Sequence, residues 1–260
     1  MKNFPIGRLG NKQLDIKYFE KYFPDKKDLD TVAEAFAGSF AVIRNNFYDV
    51  ENIMCADSDT TFTNKLKNIL ENLEDYRDEK LKILEYMKQN NTSTKDDRNF
   101  YLDNDKMTDY IKTLKYLDKS DLRQRGIWKL NGTTIDINKY KEISGLYKKI
   151  VWFDDYKKVF DKVVDNPKAF VFLDPPYFSS HNKDYNNKEQ SRNENNVIQD
   201  TTFIYIDILE FIEKAKCKVM LIVNNSAIIR YLYNKFYKGE YIKQYQLSKS
   251  FETLNIYCNY

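Results

Sequence analysis

Apolar positions along this chain follow two periods, and the switches between them mark its elements. Residues 13–22 place Leu14, Tyr18 and Phe19 at helical spacing, and Pro24-Asp25 closes the segment. Thr31 to Phe36 reads as a strand running into the small-residue turn Ala37-Gly38-Ser39. Phe40 to Phe47 follows as a helix, and Asn52 to Ala56 as a second strand ending at Asp57. From 62 to 88, Leu66, Ile69, Leu70, Leu73, Leu81, Leu84 and Met87 recur at three- and four-residue steps, the stripe of a long core-facing helix.

Beyond it the pattern weakens. Asn90 to Asn99 is polar and reads as a loop, and helical spacing returns around Met107 to Leu117. Gly126 to Ile135 carries Asn131-Gly132 between two β-prone runs, the signature of a hairpin whose turn residues both accept positive φ. Ala169 to Leu173 is a short continuous apolar run, the mark of a buried strand. Ser179 to Asp200 is almost devoid of apolar residues and predicts a flexible loop. Ile204 to Lys214 and Ile229 to Lys235 read as helices, Cys217 to Val223 as a buried strand, and Tyr241 to Leu247 with Leu254 to Tyr257 as a terminal hairpin. Strands alternating with helices predict an α/β fold with a mostly parallel sheet. Strand, glycine turn, helix, and strand with a terminal acid make the first half of a nucleotide-type Rossmann unit.

Composition narrows the function classes. The 260 residues are 42% hydrophobic and 31% charged, enough to bury a core. No run approaches the roughly 18 apolar residues of a membrane span. The start, Met1-Lys2-Asn3-Phe4-Pro5, lacks the apolar stretch of a signal peptide. The expectation is an intracellular protein with three free thiols (Cys55, Cys217 and Cys258) and no metal centre, since its one histidine is His181. Residues 105–150 hold 11 Lys/Arg against 6 Asp/Glu, a net of +5, which leaves −2 for the rest of a chain totalling +3. A basic middle between near-neutral flanks suits a polyanion, and equally a solvated lysine-rich surface. Arg123, Arg125 and Lys129 cluster around the Asn131 hairpin with Trp128, a shape suited to a DNA groove and also to an ordinary surface hairpin.

The most specific chemistry follows the strand at 169–173. Asp174-Pro175-Pro176-Tyr177 sets an acid, two rigid residues and an aromatic ring at a strand end. The exocyclic amine of adenine is a poor nucleophile because its lone pair is delocalised into the ring. Two acceptors aimed at its two hydrogens localise that pair. Asp174 supplies a carboxylate, and the main-chain carbonyl of Pro175 a second acceptor whose direction proline rigidity helps to fix. Tyr177 supplies a face on which a base stacks, worth roughly 1–3 kcal/mol. A base within a duplex has to be flipped out to reach such a site, at a cost of about a few kcal/mol.

These residues resemble those of the DNA adenine-N6 methyltransferases of the DNA adenine methylase type (D12 class, alpha motif order), and the resemblance spans most of the chain in the family's order. It implies a Rossmann-like S-adenosylmethionine-dependent methyltransferase sheet with an inserted helical and β-hairpin target-recognition region. The catalytic domain is then 1–61 with 150–260, and the DNA-binding insertion 62–149. Leu9-Gly10-Asn11-Lys12 resembles the N-terminal cofactor motif, and Phe36-Ala37-Gly38-Ser39 the glycine motif, with Phe40 where the family often has a second glycine. Asp57 matches the acid that holds the ribose hydroxyls. Asp174 to Tyr177 matches the catalytic motif, with Asp174 also bordering the cofactor. Arg123, Arg125, Lys129 and Asn131 become the DNA-binding candidates. Asn225 to Tyr231, with Arg230, and the ending Asn259-Tyr260 resemble later family blocks.

The implied function is site-specific methyl transfer to the N6 amine of an adenine flipped from duplex DNA. The alternatives are methylation of adenine in RNA and a catalytically inactive DNA-binding module of the same fold. The expected setting is the cytoplasm of a bacterium or of a virus's host cell, as a monomer or weak dimer, and a companion restriction endonuclease is compatible with it.

Overall fold

A computed structural model describes residues 12–89, 137–176, 201–224, 227–236, 240–246 and 253–260. The loop expected at 90–99, the helix around 107–117, the Asn131 hairpin and the segment 179–200 lie outside the described residues. The chain divides into two compact units: Leu14–Ser58 with Val151–Tyr260, and Met1–Gln13 with Asp59–Ile150.

The first unit is built on a seven-stranded sheet of order β3-β2-β1-β4-β5-β7-β6. The strands are β1 (Thr31–Glu34), β2 (Asn52–Ala56), β3 (Val151–Phe153), β4 (Ala169–Leu173), β5 (Lys218–Asn224), β6 (Glu240–Gln246) and β7 (Thr253–Cys258). β1 to β5 run parallel, and β7 lies antiparallel between β5 and β6. The terminal hairpin is therefore present, with its second strand in the sheet's interior. β1 and β4 are buried along their whole length, as strands covered on both faces must be.

Alternation along the strands sorts the core into two layers. On one face Val171, Leu173, Val219, Leu221 and Val223 join one buried cluster with residues of three helices. Numbering helices in chain order, these are α5 (Tyr156–Val163), α6 (Thr201–Lys214) and α7 (Ala227–Phe236). Phe160 of α5 stacks on Phe211 of α6 with centroids 4.0 Å apart. On the other face Phe170 and Phe172 meet Phe19, Phe23 and Phe47. This layer explains the first departure from expectation. Residues 13–22 do not form one helix. α1 is a single turn (Ile16–Phe19) between 3₁₀ turns at Lys12–Leu14 and Glu20–Tyr22. The chain breaks at Phe19, with φ −124, and both Phe19 and Phe23 reach Phe172.

The second unit contains α2 (Thr60–Glu71), α3 (Leu73–Gln89) and α4 (Ile137–Lys149). Asp59 caps α2 by accepting from the Phe62 amide at 2.9 Å. The single helix expected over 62–88 is two, because Asn72 leaves helical geometry at φ −129, ψ 54. Leu66, Ile69 and Leu70 are buried as expected, whereas Leu81 is 45% exposed. Ser144 of α4 donates to the Leu70 carbonyl at 2.6 Å. No helix among the described residues is long and apolar enough to cross a membrane. The three cysteines are buried and outside any disulfide, and burial pushes the Cys55 and Cys217 thiols up, Cys217 to about 12.

Candidate active site

The strand order reverses between β1 and β4, and a parallel sheet opens its crevice at the carboxyl ends of the strands there. Register decides what stands at that point. Glu34 is level with Phe172, and the Ala35 amide donates to the Phe172 carbonyl at 3.3 Å. Beyond that last pair, β1 passes into the turn that holds Phe36, and β4 runs through Leu173 to the acid Asp174.

The turn after β1 is tied from several directions. The Ala37 amide donates to the Ala56 carbonyl at 2.8 Å, and the Phe40 amide to the Ala37 carbonyl at 2.6 Å. Arg44 Nε donates to the Ser39 carbonyl at 3.2 Å. The Gly38 amide donates to Asp57 Oδ2 at 2.7 Å, so the sequence-predicted turn and acid meet directly. Gly38 has φ 50, a left-handed backbone that costs a residue with a β-carbon about 1–2 kcal/mol. Phe40 is left-handed too, at φ 40, which is why a glycine suits this position. Phenylalanine is accommodated by packing: its ring is fully buried and edge-on to Trp152, with centroids 5.8 Å apart.

Two charged residues beneath the turn were not singled out from sequence. Glu34 ends β1, and its Oε1 accepts from the Ile43 amide at 2.6 Å. It thereby caps the helical segment after the turn, which begins at Ala41 and widens to a π-helix over Ile43–Phe47. Burial pushes the Glu34 carboxyl up to about 8, against the Ile43 hydrogen bond and the Arg44 charge; the neighbouring Asp174 carboxylate raises it further. Arg44 is fully buried, and burial lowers it to about 10 while Glu34 opposes the shift. The available signal was an acid inside an otherwise apolar strand.

At the end of β4, Leu173 is the last residue of the ladder, and Asp174, Pro175 and Pro176 run on beyond it. The buried Tyr205 of α6 donates its hydroxyl to the Pro176 carbonyl at 3.0 Å. Two residues later Asp207 accepts from the Tyr156 hydroxyl at 2.5 Å and pairs with Lys157 at 2.9 Å. The Tyr156 ring packs on Phe36 with centroids 5.0 Å apart. Burial, then the Asp207 hydrogen bond, holds the Tyr156 phenol above its ordinary range. Tyr205 carried no signal beyond its place in an apolar helix.

Of the remaining candidates, Lys12 is buried and belongs to the other unit. Leu9, Gly10, Asn11, Tyr177, Arg123, Arg125, Lys129 and Asn131 lie outside the described residues, as do Asn225 and Ser226. Arg230 is exposed on α7. Asn259 serves the fold: its side chain accepts from the Val219 amide at 2.7 Å and donates to the Cys217 carbonyl at 3.0 Å. Tyr260 likewise donates to the Tyr22 carbonyl at 2.8 Å.

The set fits S-adenosylmethionine chemically. A ribose diol needs a carboxylate acceptor, and Asp57 stands held at the turn's edge. A carboxylate offers about four acceptor positions, so engaging Gly38 is compatible with that task.

Comparison with known proteins agrees. The family described as D12 class N6 adenine-specific DNA methyltransferase matches residues 9–148, more than half of the chain, in a span ending before Asp174. No curated protein matches. Among solved structures, the rRNA methyltransferase aviRa from Streptomyces viridochromogenes is similar at 9% identity and TM-score 0.36, over 89% of this chain and 77% of its own. The N-terminal domain of human METTL16 in complex with SAH is similar at 12% identity and TM-score 0.37, over 100% and 72%. With a Rossmann-like sheet, a glycine turn bound to the acid after β2, and a family match across both, the chain is an S-adenosylmethionine-dependent adenine methyltransferase and belongs to the D12 class N6 adenine-specific DNA methyltransferases.

Proposed function

We propose that this enzyme methylates the N6 amine of an adenine turned out of duplex DNA, at the crevice between the ends of β1 and β4. The observation that supports the reading is the β1–β4 register, which pairs Glu34 with Phe172, so that the Phe36–Ser39 turn and Asp174 both follow the carboxyl ends of neighbouring strands. S-adenosylmethionine, when bound, supplies a methyl group on a sulfonium leaving group. Phe36 to Ser39 and Asp57 hold the donor, with Asp57 receiving the ribose hydroxyls.

Asp174 accepts one hydrogen of the target amine and the Pro175 carbonyl accepts the other, drawing the nitrogen lone pair out of the ring. The Pro176 carbonyl is already engaged by Tyr205, which supports Pro175 as the second acceptor. Tyr177 stacks on the base. Fixed acceptors are effective here because they need no reorganisation as charge develops on the amine. In the basic 105–150 region, Arg123, Arg125, Lys129 and Asn131 are the proposed DNA contacts, with Arg125 suited to bidentate reading of guanine.

The test is competition. With labelled S-adenosylmethionine, equal amounts of duplex DNA, single-stranded DNA and RNA of the same sequence are offered together. Label enters duplex DNA at least about tenfold faster, a preference of about 1.4 kcal/mol. Label entering RNA first would reject DNA as the substrate.

A further inference from the structure

Asp174, Pro175 and Pro176 continue past the last ladder residue, and the two prolines have no amide hydrogen with which to be held. Proline fixes φ, so ψ is the soft torsion left at each residue. The ψ of Pro176 sets the plane of the peptide that leaves it, and that plane includes the Pro176 carbonyl.

Tyr205 Oη lies 3.0 Å from that carbonyl. The ring it belongs to is 1% exposed, on a helix whose Ile204, Ile208, Phe211 and Ile212 are buried in the sheet's core. The same helix reaches the cofactor side two residues later, through Asp207, the Tyr156 hydroxyl and the Tyr156 ring on Phe36. One rigid element therefore touches both halves of the crevice.

We propose that Tyr205 is a positioning residue for methyl transfer. Its hydroxyl anchors the Pro176 carbonyl, and through the fixed φ of Pro176 it holds the Pro175 carbonyl in the direction offered to the target amine. The proposal rests on the assignment of Asp174 to Pro176 as the amine-binding segment. It assigns Tyr205 no contact with substrate or cofactor.

The experiment compares Tyr205→Phe, Tyr260→Phe and Asp174→Ala in the full-length enzyme, with duplex DNA and saturating S-adenosylmethionine in single turnover. Tyr260→Phe deletes another hydroxyl-to-carbonyl bond, to Tyr22, on a more exposed ring, and the melting temperature of each variant is measured beside its rate to separate loss of stability from loss of rate. Tyr205→Phe is expected to slow the methyl-transfer step at least about tenfold while the cofactor Kd stays within about twofold, because misaimed acceptors weaken the transition state and leave donor binding intact. Tyr260→Phe keeps the wild-type rate.

A Tyr205→Phe rate within about twofold of wild type, with Asp174→Ala inactive, overturns the role of Tyr205 alone. An equal loss of rate in Tyr205→Phe and Tyr260→Phe also overturns it, since general destabilisation then accounts for both. Asp174→Ala acting at the wild-type rate overturns the underlying site assignment instead. Should Tyr205→Phe not fold, Tyr205→His, which can keep a donor on a ring, is measured for the same split between rate and cofactor Kd.

Discussion

The amide of Gly38 donates to the carboxylate of Asp57 at 2.7 Å, across nineteen residues of chain and between the ends of adjacent strands. One bond thus joins the turn proposed to receive the cofactor to the acid proposed for its ribose. An anionic acceptor makes it a charge-assisted bond, roughly twice as strong as a neutral one. The chain's own hydrogen bonds hold the turn, which lowers the ordering cost of binding.

Asp57→Ala removes both the tie to Gly38 and the ribose acceptor. The expected result is S-adenosylmethionine binding at least about tenfold weaker by calorimetry, or about 1.4 kcal/mol. Asp57→Asn keeps an oxygen for the Gly38 amide, so its thermal stability stays closer to wild type while its affinity falls. Wild-type affinity in Asp57→Ala would remove Asp57 from the cofactor site.

Phe40→Gly sets two effects against each other. Glycine relieves about 1–2 kcal/mol of left-handed backbone strain. Removing a fully buried phenylalanine ring costs about 3–5 kcal/mol. Packing wins, and the variant unfolds at lower denaturant, with a net loss of about 1–4 kcal/mol. Greater stability in Phe40→Gly would mean that strain outweighs the ring's contact with Trp152.

Glu34 gives stability a particular pH dependence. Its carboxyl is raised from the ordinary 4.5 to about 8 in the folded chain, chiefly by burial. The folded state holds this proton more tightly than the unfolded state. Its contribution is therefore full below about pH 4.5 and is lost as pH rises through about 8. Glu34→Gln lacks the titration, so its melting temperature falls less than that of wild type between about pH 5 and pH 9. Parallel melting curves for the two proteins would contradict the assignment.

At the Asp207 junction, exposure separates two partners of one carboxylate. Tyr156→Phe deletes a half-buried hydrogen bond to a charged group, with an expected loss of about 1.5 kcal/mol, or roughly 3–6 °C in Tm. Lys157→Ala deletes an ion pair whose lysine side chain is 55% exposed, with an expected change below about 0.5 kcal/mol. The reverse ranking would show that the ion pair and not the phenol braces the helix against the turn after β1.

How much was legible follows from where each constraint lies. β2 and β4 appear in the structure with the bounds that their apolar runs indicated, and β4, buried along its whole length, leaves the least ambiguity. Asp57 and the Ala37-Gly38 turn were legible because a Rossmann half-unit needs both at fixed places. Residues 137–163 carried no assigned element, yet they form α4, β3 and α5. β3 is only three residues long and Val151 is 52% exposed, so its apolar signal is weak. Tyr205 acts through a contact made only once distant segments pack, and Glu34 and Arg44 through contacts made only once the turn after β1 closes. A tyrosine in an apolar helix and an arginine after a glycine turn look ordinary in sequence, and their partners at Pro176 and Ser39 are set by the sheet register and the turn geometry.

The most direct measurement of the central claim is nucleoside mass spectrometry. Wild-type enzyme and Asp174→Ala are each incubated with S-adenosylmethionine and unmethylated duplex DNA, and cofactor binding is recorded for both. The account predicts N6-methyladenine from the wild type and at least about a hundredfold less from a variant that still binds the cofactor, a loss of about 2.7 kcal/mol in the transition state. N6-methyladenine formed by Asp174→Ala at the wild-type rate would contradict it.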